Sequence, residues 1–96
     1  MRSITAPEEL GLDTRISFRE TVARELDGMA DGARLVIDLS QTRKVDSAGL
    51  SALMLVHRHA SGKNQRLVLR APSEELRFLL ALTLMTDLFE IDPARA

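Results

Sequence analysis

The sequence predicts an α/β domain, a small mainly parallel sheet with helices packed on it, from three observations. Two short runs with β-branched centres, "LVIDL" (35–39) and "RLVLRA" (66–71), carry the signature of strands buried on both faces. Each is followed by a segment whose apolar residues recur at helical spacing. Strands alternating with helices imply right-handed crossovers, and such crossovers build parallel sheets. Ninety-six residues hold one core, so a single domain over 1–96 is expected.

The elements follow in order. "SITA" (3–6) is a short strand ended by Pro7. From Thr14 to Leu26, the residues Ile16, Val22, Ala23 and Leu26 form a helical stripe, and "DGMADG" (27–32) stops it. The strand 35–39 leads into a helix over 47–62, with Leu50, Leu53, Met54 and His57 on its apolar side and Gly62 as its stop. The strand 66–71 ends at Pro72-Ser73. A third helix, 73–85, then takes Ser73 as N-cap and places Glu74 and Glu75 at the positive end of its dipole. "LFEI" (88–91) is the last strand, ended by Pro93.

Composition removes several function classes. The chain is 45% hydrophobic and 28% charged, as a folded globular domain is. Its formal net charge of −1 recommends neither nucleic acid nor an anionic membrane as partner. The only aromatics are three Phe, too few for a base-stacking platform. Without cysteine there is no disulfide framework and no thiolate metal site. No run reaches the roughly twenty apolar residues that cross a bilayer, and the N-terminus lacks a signal-peptide pattern. Membrane insertion is not expected, and the cytoplasm is the expected location.

Candidate chemistry thins out on inspection. Ser61-Gly62-Lys63 resembles the end of a phosphate-binding loop, but His57 stands where that loop needs its first glycine. His57 and His59 are two apart on a helix, so their side chains diverge by roughly 200° and do not share a metal. His57 reads as a packing residue and His59 as a solvated one. Ser47 follows a strand and opens a helix like a nucleophile elbow, yet Val45 stands where that elbow needs glycine, and no triad order is present. No catalytic residue, cofactor or metal is expected, and the chain does not read as an enzyme.

Asp46-Ser47-Ala48-Gly49-Leu50 remains. Either Asp46 or Ser47 suits a helix N-cap, worth about 1 kcal/mol. The same place suits a regulatory phosphate: a loop at the carboxyl end of a parallel strand is where sites gather, and helix N–H groups accommodate anions. A phosphate on Ser47 adds nearly two negative charges beside Asp46.

The run "LVIDLSQTRKVDSAGLSALMLVHRHA" resembles the signature of STAS domains, the fold of bacterial anti-sigma factor antagonists. Asp38-Leu39-Ser40 and Asp46-Ser47-Ala48-Gly49-Leu50 match that signature in type and spacing. The opening "ITAPEELGLDTRISFRETVAREL" and the tail "RLVLRAPSEELRFLLALTLMTDLFEI" are similar to the family's flanking elements, so the resemblance covers about residues 3 to 91. It implies a binding switch: the bare protein binds an anti-sigma factor that is also a serine kinase, phosphorylation weakens the complex, and a phosphatase restores it. Carried over by position, the phosphoacceptor is Ser47. Asp46, Ala48, Gly49 and Leu50 form the docking surface around it, with Ser40, Arg43 and Lys44 on the preceding loop.

Against typical members, the chain looks trimmed at both ends, lacking a first strand and a last helix. An uncovered sheet edge then invites pairing with a second copy. Gly11 stands where an acid usually follows "EL", and Ala48 replaces a second hydroxyl. Arg43 and Lys44 precede the motif, as basic residues do in the STAS subunits of bacterial ABC lipid-transport complexes. Such subunits bind the ATPase subunit without a phospho-switch, and they are the alternative partner class.

Overall fold

The computed structural model describes residues 2–93. In chain order it contains β1 (Ser3–Thr5), β2 (Glu9–Leu10), α1 (Arg15–Asp27), β3 (Arg34–Asp38), β4 (Lys44–Val45) and α2 (Ser47–Ser61). It continues with β5 (Arg66–Arg70), α3 (Glu74–Leu82), a 3-10 turn (Thr86–Leu88) and β6 (Glu90–Asp92). β1, β3, β5 and β6 form one four-stranded sheet in that order, with every neighbouring pair parallel. Sequential order with right-handed crossovers places all three helices on one face. Packing agrees, because Leu35, Ile37, Leu67 and Leu69 share one core with Val22, Leu53, Leu76 and Leu80 from the helices.

The strands are not covered by protein layers on both faces, as the apolar runs suggested. Val36 and Val68 alternate with the core residues, point to the opposite face and lie outside that core, yet they are buried. Charged side chains cover them. Arg34 reaches across β5 to Glu90 at 2.6 Å, Arg66 lies 3.8 Å from the same carboxylate, and Arg70 pairs with Asp92 at 3.2 Å. Long aliphatic stems shield the valines while the charged heads stay wet. This face reads as apolar in sequence because its charges stand at the ends of the strands.

Helix boundaries differ from the sequence expectation in instructive ways. The buried residues of α1 are Phe18, Val22 and Leu26, spaced by four. Ile16 is two residues from Phe18, hence roughly 200° around the helix, and it is exposed. In α2 the buried stripe is Gly49, Ala52, Leu53, Val56 and Ala60; Leu50 and Met54 pack at its edge, and His57 is half-buried against the Phe89 ring at 5.7 Å. The third helix ends at Leu82, not Met85. Thr83 bonds its hydroxyl back to Leu79 at 2.7 Å, and Leu84 takes a left-handed φ of 60°. The chain thereby turns Met85 into the core, so the apolar pattern outlasts the helix.

The residues that resembled a phosphate loop have a structural task. Lys63 donates to the Met29 carbonyl at 2.9 Å, and Gln65 donates to the Leu26 carbonyl at 2.8 Å. These bonds tie the turn after α2 to the carbonyls at and just beyond the end of α1, where the Leu26 carbonyl also accepts from Met29 N–H at 3.1 Å. Ser73 caps α3 by accepting from Leu76 N–H at 3.1 Å, as expected. Among the described residues, no helix is long and apolar enough to cross a membrane.

Replacing fully buried Leu69 by Ala should cost about 2–5 kcal/mol in urea unfolding, and Ser73→Ala about 1 kcal/mol. Leu84→Ala, at a residue 88% exposed, should stay within about 0.5 kcal/mol of the parent. A Leu69→Ala cost no larger than that of Leu84→Ala would contradict the assigned core.

Candidate functional site

A second, two-stranded sheet builds the site, and the sequence expectation missed it. β2 and β4 pair in parallel, Glu9 with Lys44 and Leu10 with Val45. Strands this short are invisible to hydrophobic periodicity. Arg43 N–H donates to the Glu8 carbonyl at 2.8 Å, and Thr42 donates its hydroxyl to the Pro7 carbonyl at 2.8 Å. The loop after β3 and the segment before α1 are thereby joined side by side.

The N-terminus of α2 sits on this joint. A Cβ on Gly49 would overlap the Leu10 carbonyl oxygen and stand 3.0 Å from a Val45 methyl. Only glycine permits β2 to lie so close to the first turn of α2. Asp46 is the N-cap, accepting from Gly49 N–H at 2.9 Å, and its other carboxylate oxygen accepts from Leu12 N–H at 3.4 Å. A Cβ on Gly11 would stand 2.5 Å from that second oxygen. Gly11 therefore makes room for the Asp46 carboxylate. Thr14 closes the loop: its hydroxyl accepts from Gly11 N–H at 3.0 Å and donates to the Glu9 carbonyl at 2.8 Å.

Of the two cap candidates, Asp46 does the capping. Ser47 is the first helical residue, exposed, and its hydroxyl has no hydrogen-bond partner among the described residues. The hydroxyl thus projects from a helix start that other groups hold in place. His57 is ten residues along α2, about 15 Å away at a helix's rise, and His59 is paired with Asp27 at 2.7 Å. Neither stands ready as a base for Ser47. Among the described residues, no three His, Cys, Asp or Glu side chains are grouped to hold a metal.

Electrostatics at the site follow from backbone donors. Gly49 N–H holds the Asp46 carboxyl below its ordinary value against desolvation, with Leu12 N–H, Ala48 N–H and the Lys44 charge adding to the lowering. Asp38 is also lowered, first by Ser40 N–H at 2.9 Å, with the Ser40 side chain and Arg70 assisting. Asp38 thereby fixes the start of the loop whose end carries Ser47.

The expected site residues divide by position. Asp46 and Lys44 line one concavity with residues 7–14, and Ala48 lines a neighbouring one between α1 and α2. Ser40 and Arg43 are exposed on the connecting loop and line neither. Gly49 is buried and Leu50 packs on the core, so they shape this surface from beneath. The contribution of Leu10, Gly11, Leu12 and Thr14 was not foreseen. The available signal was a glycine directly after Glu9-Leu10, where side-chain atoms from another loop need space.

Comparison with known proteins follows the same lines. The family model described as "Mlab, STAS domain" matches residues 4–90. A STAS-domain containing protein of Pseudomonas aeruginosa (strain UCBPP-PA14) is 38% identical over 58 residues, 60% of this chain. That match spans 57% of the relative's length, little more than half. A candidate anti-sigma factor antagonist from Thermotoga maritima superposes with a TM-score of 0.81 at 20% identity, over 96% of this chain and 80% of that one. At that identity the likeness is one of fold.

Two measurements check this geometry. Gly49→Ala should lower stability by roughly 1–3 kcal/mol, because the backbone of β2 has to retreat; an unchanged urea midpoint would contradict the close approach. The Asp46 carboxyl is lowered from 3.8, so its contribution is complete above that value and is lost as pH falls through the lower folded value. Asp46→Asn should therefore flatten the fall in stability below about pH 4, read as urea midpoints across the acid range. An acid limb as steep as the parent's would show that the carboxylate is not held by these donors.

Proposed function

The chain belongs to the STAS domain family, and from that premise we propose that it is an anti-sigma factor antagonist switched by phosphorylation of Ser47. One observation carries the reading: Ser47 presents an exposed, unbonded hydroxyl at the start of α2, on a loop held from below by Asp46 and Gly49. The bare surface docks an anti-sigma factor that is also a serine kinase, and the released sigma factor is free for transcription. Asp46, Ala48, Ser40, Arg43 and Lys44 meet the partner, while Gly49 and Leu50 keep the surface in shape.

A phosphate on Ser47 acts without a large rearrangement. It places nearly two negative charges in the interface, beside a carboxylate that is already ionised. Like charge brought against the partner's acidic groups weakens docking, and a phosphatase acting on Ser47 reverses the effect. The protein itself performs no catalysis in this reading and works in the cytoplasm. Pairing of two copies would use β1 or β6, the three-residue edges of the main sheet, and gel filtration reads it directly.

A second reading is favoured by a specific feature. Arg43 and Lys44 are exposed and form no ion pair among the described residues. That suits a STAS subunit of an ABC lipid-transport complex docked on its ATPase subunit, and the matching family model names Mlab. In that case Ser47→Ala leaves assembly intact.

The two readings separate in one experiment. The purified chain is incubated with ATP and each anti-sigma serine kinase of its own cell, and its intact mass is measured. One phosphate is expected, absent from Ser47→Ala. A phosphate on another residue, or none with any of these kinases, overturns the switch. Co-purification of an ABC ATPase with both parent and Ser47→Ala establishes the second reading instead.

A further inference from the structure

Three of the large apolar residues that the fold leaves exposed gather on one face. Leu12 is 66% exposed, Ile16 54% and Leu55 37%. They belong to two concavities between α1 and α2, of about 420 and 300 Å³, which share Arg19 and Leu55 and so form one groove. Ala48 lies toward one end and His59 toward the other. From Ala48 to His59 the groove follows α2 for about 16 Å, roughly three helical turns.

The rim of the groove is basic. Arg15 and Arg19 line it, and among the described residues neither makes an ion pair. The Arg15 Nε is buried and has no acceptor. Only the outer part of that guanidinium is open to a partner, and a carboxylate meets such a group with a strong, charge-assisted bond. Glu20 is the single acid of the lining. A second copy of this chain is a poor occupant, since a two-fold contact would bring arginines against arginines.

We infer that the α1–α2 groove receives an acidic amphipathic helix of the partner protein, whose apolar residues at i, i+3, i+4 and i+7 cover Leu12, Ile16 and Leu55. Carboxylates beside that apolar stripe engage Arg15 and Arg19. This inference rests on the docking role proposed for the start of α2, and it extends that surface from Ala48 along the helix pair. The Ser47 end then supplies control, and the groove supplies most of the apolar contact.

The test selects helix-forming peptides of about three turns from a display library on the immobilised full chain. Peptides with spaced Leu or Ile and net negative charge are expected. They should lose tenfold or more in affinity for Ile16→Ser, at an exposed residue, and for Arg19→Glu, at a half-buried one, with melting temperatures showing that both variants stay folded at the binding temperature. Phe78→Ser, on the exposed side of α3, should bind like the parent. Uncharged or basic selected peptides, equal binding to the Ile16 and Arg19 variants, or no enrichment overturn the groove reading. So does Ile16- and Arg19-dependent binding of phosphatidylglycerol vesicles in place of peptides. Ser47→Ala should keep peptide binding, so failure of the phosphorylation switch and failure of the groove are distinguished.

Discussion

The site depends on one close approach, the Leu10 carbonyl lying on the Gly49 α-carbon. It lets the short β2–β4 pair sit directly under the first turn of α2. Asp46 can then serve two segments at once, capping its own helix and holding the Leu12 N–H of the neighbouring loop. Remove the room at Gly49 or at Gly11 and this carboxylate loses its place. The exposed position of Ser47 is a consequence, because its neighbour supplies the cap and leaves the serine hydroxyl unengaged.

The rest of the molecule separates its surfaces by charge. On the open face of the sheet, arginines pair with Glu90 and Asp92 and seal two valines beneath them. Partly exposed pairs of this kind add little stability, but they leave no apolar ground for a partner. The helix face differs, since its arginines are unpaired and surround exposed Leu and Ile. A partner therefore finds apolar area, unpaired cations and the exposed Ser47 hydroxyl on one continuous side, reached from the start of α2.

Much of this was legible in the sequence. The runs 35–39 and 66–71 announced their strands because β-branched residues and flanking loop chemistry agree there. The segment Asp46–Leu50 announced a helix start and carried the family resemblance. What escaped has physical causes. Two-residue strands such as Glu9–Leu10 show no periodicity, and their pairing with Lys44–Val45 is a long-range event. Choosing Asp46 over Ser47 as cap required knowing which residue lies outside the helix. Ile16 reads as inward in sequence because an apolar residue near a helix start resembles part of a stripe until Phe18 sets the phase. The end of α3 was overrun because Leu84 turns the backbone while the apolar pattern continues into Met85.

The most direct test is the dissociation constant of the chain with the anti-sigma factor proposed as its partner, measured with bare and with Ser47-phosphorylated protein. Melting temperatures of the two forms serve as the control. The account predicts at least a tenfold weaker complex on phosphorylation, with both forms equally folded, because charge is added to a preformed surface. Equal affinity of the two forms, or a loss explained by unfolding, would contradict it.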